Sequence, residues 1–122
     1  MIRGIGTDII EIDRISRAVK KDYFLKRAFT DSEIAMAKER NTDVFLAGNF
    51  AVKEAFVKAL GIGFRGIGLK DLEVLRDKYG KPFIRICNPE NIHLMDINDK
   101  NIYVSISNTN SLVVAMVVIE VD

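Results

Sequence analysis

The longest amphipathic segment of the chain runs from about Asp43 to Leu60 and predicts a single helix. At about 100° per residue, the bulky apolar side chains fall on one broad arc and the small ones fall on the opposite side. Glycines follow directly after Leu60 and mark the end of the helix. Since small side chains let another backbone come close, we expect this helix to lie at the centre of the fold. The arc comprises Phe45, Leu46, Phe50, Val52, Phe56, Val57 and Leu60, and the small side comprises Ala47, Gly48, Ala51, Ala55 and Ala59.

A second pattern, alternation between two faces, predicts a strand over residues 2–10. Ile5 and Ile9 share one face, whereas Gly4, Gly6 and Asp8 share the other. Glycine weakens a strand and is usually found where another element approaches the backbone. We therefore expect a bare strand face that presents Asp8. The alternative is that Asp8 is only a turn or cap residue at the end of the strand.

The remaining patterns complete an α+β fold with a single domain over residues 1–122. A capping-box signature, Thr30 with Glu33, opens a short helix, and a turn at 77–81 indicates a hairpin. The predicted fold has an N-terminal strand, helices around one long central helix, and antiparallel strands in the C-terminal half. Residues 88–101 are irregular and polar. The predicted helices span 13–27, about 30–40 and about 43–60, and the later strands span 72–75, 82–86, 102–107 and 112–121.

Composition excludes several kinds of protein. The chain has 18 basic and 17 acidic residues, so its overall charge does not favour nucleic acid. Its one cysteine, Cys87, cannot form an internal disulfide, and we expect an inert buried thiol. Its one histidine, His93, has no metal-ligand spacing around it, and we expect a surface position. No signal segment and no apolar run near the roughly 20 residues of a membrane span is present, which favours a cytoplasmic protein without membrane contact.

Carboxylates and lysines are the remaining candidates for chemistry. A hydrolase triad and a zinc site both lack residues, whereas Mg²⁺ takes oxygen ligands and is often held by one or two carboxylates with substrate phosphates. Asp8 and Glu54 could form such a pair if the bare strand face meets the small side of the helix. Lys58, four residues after Glu54, would then reach the same site. The alternative is an ordinary Glu54–Lys58 helix salt bridge. Lys53 and Asn49 lie within the apolar arc, where a charge needs a partner.

A local basic face is predicted after the first strand. Arg14, Arg17 and Lys21 follow the i, i+3, i+7 spacing of one helix side. A solvated helix face is one explanation, and an acidic partner protein is another. No nucleic-acid module signature accompanies the face, so we do not expect nucleic acid as a partner.

Two motifs of the chain resemble a known family. Residues 4–15 (GIGTDIIEIDRI) and 50–59 (FAVKEAFVKA) resemble the two signatures of holo-acyl-carrier-protein synthases, the short 4′-phosphopantetheinyl transferases. Residues 80–82 and 104–107 resemble two weaker blocks of the same family, in the same order. The resemblance implies the 4′-phosphopantetheinyl transferase fold. It also implies Mg²⁺-dependent transfer of 4′-phosphopantetheine from coenzyme A to a serine of apo acyl carrier protein, in support of fatty acid biosynthesis. The second product would be adenosine 3′,5′-bisphosphate.

The resemblance also implies a role for each matching residue. Asp8 and Glu54 would hold Mg²⁺ on the coenzyme A diphosphate, Lys58 would stabilise its charge, and Lys53 would face the nucleotide phosphates. Glu54 or a metal-bound water would take the serine proton. An acidic carrier protein would dock on the basic face, Arg14, Arg17 and Lys21, and the family implies a homotrimer with sites between subunits. The implied coenzyme A contacts are Lys53, Lys58, Gly61, Gly63, Phe64, Gly66, Pro82, Asn108 and Thr109.

Two positions depart from the family pattern. Asn108 stands where the family usually has histidine, and Asn49 stands where relatives often have arginine, so two candidate nucleotide contacts are altered. Neither change touches the acidic pair or Lys58. The alternative functions are a non-catalytic coenzyme A or carrier-protein binding module of the same fold and, less favoured, a nucleic-acid binder with a basic helix.

Overall fold

A computed structural model describes residues 1–121 and confirms the α+β fold. Its elements follow the predicted order, with the long helix in the middle of the chain and antiparallel strands after it. Two short 3₁₀ turns precede the second and fourth strands. The elements are β1 (Ile2–Glu11), α1 (Ile12–Ala18), α2 (Asp22–Ala28), α3 (Asp31–Lys38), α4 (Thr42–Leu60), β2 (Leu72–Arg76), β3 (Pro82–Ile86), β4 (Ile102–Asn108) and β5 (Leu112–Glu120).

The strands form two separate antiparallel sheets. One has the order β1-β5-β4, and the other is the β2-β3 hairpin. The nearly continuous apolar run of β5 occupies the central position, where a strand is paired on both edges. One face of the larger sheet packs on α4, and the buried side chains between them form the main core. The other face keeps Ile5, Ile9, Val114 and Met116 exposed.

Strand β1 meets α4 backbone to backbone. A Cβ atom built on Gly4 would overlap the carbonyl oxygen of Ala59, and one built on Gly6 would overlap that of Ala55. Only glycine can occupy these two positions without moving the helix away from the sheet. The bare strand face and the small-residue helix side therefore face each other, which was the condition for Asp8 and Glu54 to form a pair.

The long helix begins and ends as the sequence indicates. Asn41 is its N-cap, and its side chain accepts a hydrogen bond from the Val44 amide at 3.4 Å. Gly61 ends the helix with φ +80°, a left-handed conformation that favours glycine. The capping box of α3 is also confirmed, with Thr30 and Glu33 exchanging bonds of 3.0 and 3.2 Å.

The prediction of one helix over 13–27 is wrong, because residues 19–21 separate α1 from α2. Packing explains the break. Ile15 and Phe24 are nine residues apart, so a continuous helix would place them on nearly opposite sides. In the structure Ile15 is buried, and the Phe24 ring lies 6.0 Å from the Phe50 ring. The break therefore turns both side chains toward the core.

Cys87 also differs from its prediction. It follows the last residue of β3, and it is exposed rather than buried, since the apolar run ends at Ile86. His93 is exposed, as predicted. Within residues 1–121, no helix has both the length and the apolar character needed to cross a bilayer.

Candidate active site

Asp8, Glu54 and Lys58 come together where β1 crosses α4. The Lys58 ammonium lies 3.0 Å from Asp8 Oδ1 and also donates to the Thr7 carbonyl oxygen at 3.1 Å. The Asp8 side chain is only 15% exposed, whereas that of Lys58 is 55% exposed. The lysine head group is thus free to meet a ligand while the carboxylate is held by the fold. Lys58 pairs across the contact with Asp8, and the alternative of a simple Glu54–Lys58 helix pair does not describe this geometry.

The charge of Asp8 affects the pKa of Glu54. Burial raises the pKa of Glu54 and the nearby Asp8 raises it further, while Lys58 and Arg14 lower it. Two neighbouring carboxylates in a partly buried site are difficult to ionise at the same time, because their negative charges repel each other. A cation between them would relieve that repulsion.

This donor set fits a magnesium ion. Two carboxylates close together offer the oxygen ligands that Mg²⁺ prefers, and they leave other coordination positions for water and for substrate phosphates. Within residues 1–121, no group of three or more histidine, cysteine, aspartate or glutamate side chains is arranged for a metal. The two carboxylates would therefore hold the ion together with ligands that come from the substrate.

A mostly apolar groove of about 570 Å³ opens beside Glu54. Phe24 and Phe50 form one wall, and Phe64 and Ile67 of the loop after α4 form another. Of the predicted coenzyme A contacts, Phe64 is thus the one that lines this groove together with Glu54. The side chain of Asp71 also reaches this groove.

A second pocket, of about 280 Å³, lies elsewhere on the protein and contains two other predicted contacts, Pro82 and Asn108. It shares no lining residue with the groove beside Glu54. Two guanidinium groups also line it. Arg40 and Arg76 stack on the ring of Phe45, with their central carbons 5.9 and 4.5 Å from its centroid.

The two arginines make the second pocket suited to an anion. Burial lowers the pKa of Arg76 to about 10, and the charge of Arg40 contributes to that shift. No carboxylate lines the pocket, and within residues 1–121 neither guanidinium forms a salt bridge. Phosphate groups are natural partners of such paired guanidinium groups.

Asn49, the second departure from the family pattern, lies beside the second pocket and contacts one of its arginines. Its side chain is fully buried, and its amide nitrogen donates to Glu33 Oε2 and to the Val74 carbonyl oxygen, both at 2.8 Å. Its Oδ1 accepts a 3.0 Å hydrogen bond from Arg76 Nη1. The asparagine therefore orients the arginine that lines the second pocket.

The expectation that Lys53 faces the nucleotide phosphates is wrong. Its side chain is fully buried, and its ammonium lies 2.6 Å from Glu33 Oε1 and 2.8 Å from the Ala28 carbonyl oxygen. Burial lowers the pKa of Lys53, while the Glu33 carboxylate opposes that shift. Glu33 is thus the partner that Lys53 needs within the apolar arc, and the pair joins α3 to α4.

The other predicted contacts are near the surface. Gly61 and Gly63 have positive φ values, 80° and 64°, and open space beside them, while Gly66, with φ 76°, packs against His93. The hydroxyl of Thr109 accepts hydrogen bonds from the amides of Ser111 and Leu112, so it serves the turn between β4 and β5.

The predicted docking residues do not share one helix face. Arg14 and Arg17 are exposed on α1, but Lys21 follows the break and is the N-cap of α2. All three side chains are exposed, so the surface is basic although it is built from two elements. Arg14 is also close enough to the acidic pair to affect the pKa of Glu54.

Three residues with clear roles were missed from the sequence. Glu33 was explained fully by the capping box, which concealed its pairing with Lys53. Arg40 and Arg76 lie in unrelated patterns, one at the end of a helix and one at the end of a strand. The only indication in the sequence was Lys53 within the apolar arc, which needs a carboxylate partner. Nothing in the sequence indicated which acidic residue that partner would be.

The chain is similar to known proteins over nearly its whole length. A family model described as the 4′-phosphopantetheinyl transferase superfamily matches residues 4–117. A holo-[acyl-carrier-protein] synthase of Clostridium botulinum is 49% identical over 123 residues, which cover 99% of each chain. One from Clostridium beijerinckii is 48% identical, with 98% of each chain covered.

Solved structures give the same result. A holo-(acyl-carrier-protein) synthase from Bacillus anthracis, in complex with CoA (3′,5′-ADP), superposes with a TM-score of 0.83 at 36% identity, covering 100% of this chain and 99% of the other. A Helicobacter pylori holo-[acyl-carrier-protein] synthase in complex with coenzyme A has a TM-score of 0.82 at 33% identity, covering 95% of this chain and 99% of the other. The chain belongs to the 4′-phosphopantetheinyl transferase superfamily.

Proposed function

We propose that the protein transfers 4′-phosphopantetheine from coenzyme A to a serine of apo acyl carrier protein. The observation behind this proposal is the meeting of Asp8, Glu54 and Lys58 where β1 crosses α4. The named relatives and the coenzyme A complexes of similar structures support the choice of substrates. Phosphoryl transfer requires mainly positioning and charge neutralisation, which these few groups can provide.

The reaction exchanges one P–O bond for another. The serine oxygen of the carrier attacks the phosphorus that bears pantetheine, and the bond from that phosphorus to the bridging oxygen breaks. Adenosine 3′,5′-bisphosphate leaves with the bridging oxygen. The Glu54 carboxylate or a water beside it takes the serine proton, and the raised pKa of Glu54 makes it a better base.

Asp8, Glu54 and Lys58 divide the work of binding the diphosphate. Asp8 and Glu54 would hold Mg²⁺, which when bound neutralises charge on the phosphate oxygens. Lys58 would leave its contact with Asp8 and donate to a phosphate oxygen, since its exposed head group is free to turn. Asp8 is held in place by the strand that carries the two glycines.

The apo carrier protein would dock on Arg14, Arg17 and Lys21. Carrier proteins of this kind are acidic, so a basic surface next to the catalytic site favours their approach. Arg14 connects the two functions, because it is exposed at the surface and close to Glu54.

Coenzyme A would be bound between subunits of a homotrimer. Three of the predicted contacts fall in two pockets that share no lining residue, the groove with Phe64 and the pocket with Pro82 and Asn108. An assembly that brings one subunit's groove to another's arginine-lined pocket would unite them around a single ligand. The exposed apolar side chains on the outer face of the larger sheet favour such an assembly. We also infer a cytoplasmic location, where coenzyme A is made and used.

Mass spectrometry of the intact carrier protein tests the reaction. Apo acyl carrier protein is mixed with coenzyme A, Mg²⁺ and the enzyme, and a gain of one phosphopantetheine group is expected that excess chelator prevents. Asp8→Ala and Glu54→Ala should each abolish the gain while the protein remains folded. Asp22→Ala removes an exposed carboxylate on α2 and should leave the rate unchanged. Substantial activity of either site variant would refute the assignment of the acidic pair.

The same assay separates the alternative. A non-catalytic binding module would bind coenzyme A or the carrier in calorimetry and would give no mass gain with several carriers. Light scattering of the purified protein in solution reports the number of subunits, and a monomer would refute the site between subunits.

A further inference from the structure

The polar segment after β3, residues 88–98, contacts the glycine loop (residues 61–68) that forms one wall of the groove beside Glu54. Asn91 makes the principal contact. Its amide nitrogen donates to the Gly66 carbonyl oxygen at 2.6 Å and to Asp71 Oδ2 at 3.2 Å. Both hydrogens of the side-chain amide are thus donated, one to the loop and one to the Asp71 carboxylate.

Asp71 is the anchor because it holds both partners. Its Oδ2 also accepts a 2.9 Å hydrogen bond from the Gly68 amide, and its backbone carbonyl accepts one from the Cys87 amide at 2.8 Å. The four groups form a continuous chain of hydrogen bonds from the Gly66 carbonyl oxygen through Asn91 and Asp71 to the Gly68 amide. These hydrogen bonds hold both ends of the stretch 66–68 against Asn91 and Asp71. The central residue of the stretch, Ile67, is buried.

The segment itself is fixed to the protein. Leu94 and Ile97 are buried in the core, so residues 88–98 are anchored although they form no helix or strand. His93 lies against the loop, where a Cβ on Gly66 would be 2.9 Å from its Nε2 atom. The Oδ1 of Asn91 accepts a 2.9 Å hydrogen bond from the His93 amide, which keeps the asparagine turned toward the loop.

We propose that Asn91, held by Asp71, is a positioning residue that fixes the glycine loop as a wall of the coenzyme A groove. A loop with three glycines in left-handed conformations has many alternatives when free, and each contact that restricts it lowers the entropy lost on binding a ligand. Asn91 lines neither pocket, so it acts through the loop. The effect on coenzyme A rests on the proposed function, whereas the effect on the loop does not.

Asn91→Asp is the sharpest test. The aspartate keeps the size and the acceptor for the His93 amide, removes the two donors, and adds a negative charge beside the Asp71 carboxylate. Losing one or two hydrogen bonds, each worth about 1 kcal/mol, should raise the KM for coenzyme A about five- to thirtyfold. The kcat should stay within about twofold, because Asp8, Glu54 and Lys58 are untouched. Asn91→Ala, without the added charge, should show the same split.

Asn88→Ala is the matched control. The Asn88 side chain donates to the same carboxylate, at Asp71 Oδ1 and 3.4 Å, and forms no hydrogen bond with the loop. The KM of this variant for coenzyme A should therefore match that of the wild type. Hydrogen exchange of the amides of residues 62–68 gives an independent measurement. It should accelerate in both Asn91 variants and not in Asn88→Ala.

The outcomes are distinguishable. Unchanged exchange in both Asn91 variants would overturn the proposed contact, whatever the activity. Faster exchange with an unchanged KM would overturn the positioning role and leave the loop outside the coenzyme A site. If the wild type transfers nothing, the proposed function fails, while the exchange measurement still decides whether Asn91 fixes the loop.

Discussion

Replacing Lys53 with methionine tests whether this lysine supports the fold or binds the nucleotide. The substitution Lys53→Met keeps the length of the side chain and removes only the ammonium group. In the structure that group lies 2.6 Å from Glu33 Oε1 and 2.8 Å from the Ala28 carbonyl oxygen, with no solvent exposure. The change therefore leaves a buried carboxylate without its counter-charge.

The expected cost follows from what remains around Glu33. Removing one member of a buried pair typically costs about 3–5 kcal/mol, because the other charge stays buried. Glu33 keeps three further donors, the amides of Thr30 and Val74 and the side chain of Asn49. These stabilise the carboxylate, so we expect the lower end, a loss of about 3 kcal/mol in the free energy of unfolding.

Urea unfolding at neutral pH measures this loss, and Lys26→Met is the matched control. Lys26 pairs with Asp22 at 3.1 Å, but their side chains are 71% and 73% exposed. Such a surface pair is worth at most about 0.5 kcal/mol, so the control should unfold at nearly the wild-type midpoint. At a temperature where both variants are folded, the KM for coenzyme A should be unchanged in both.

The opposite pattern would refute the reasoning. If Lys53→Met unfolded at the wild-type midpoint and its KM for coenzyme A rose about tenfold, a loss of about 1.4 kcal/mol of binding, the ammonium would bind the nucleotide. The buried pair with Glu33 would then not describe the working protein.

Three further predictions concern the site and its support. Gly6→Ala should destabilise the protein by at least about 2 kcal/mol in urea unfolding, because the added Cβ would overlap the backbone of α4. The control Gly48→Ala, whose Cβ would have no contact closer than 3.6 Å, should be neutral or stabilising. Equal effects of the two substitutions would contradict the close contact between β1 and α4. Arg14→Glu should raise the KM for the carrier protein more than tenfold with a smaller change for coenzyme A, and an unchanged carrier KM would remove the docking role. Asp8→Asn should lower the pKa of Glu54 in a metal-free NMR titration, since the Asp8 charge raises it; a higher pKa would show that another group dominates.

The sequence was sufficient where one local pattern determined one structural feature. The amphipathic run of α4, the glycine that ends it, and the alternation in β1 each had a single reading, and the structure confirms all three. The meeting of β1 with α4 could also be predicted, because bare glycines on one element and small residues on another complement each other.

The sequence was insufficient where distant contacts decided. Lys53 and Glu54 are neighbours in the same motif, yet one is buried against α3 and the other borders a groove, because 100° of helical rotation separates them. The break between α1 and α2 depends on the position of Phe50, which helix propensity does not encode. Arg40 and Arg76 come together only in the folded chain, on the ring of Phe45.

The backbone contact at Gly4 and Gly6 also bears on how this protein can change over evolutionary time. In most enzymes the separation of two elements depends on the side chains packed between them, so each core substitution shifts the catalytic groups a little. Here no side chain of β1 at Gly4 or Gly6 lies between the strand and the backbone of α4. Residues of the apolar arc of α4 can therefore be replaced by others of similar size with little effect on the spacing of Asp8 and Glu54. Core substitutions that accumulate during evolution would thus leave the positions of the catalytic carboxylates nearly unchanged.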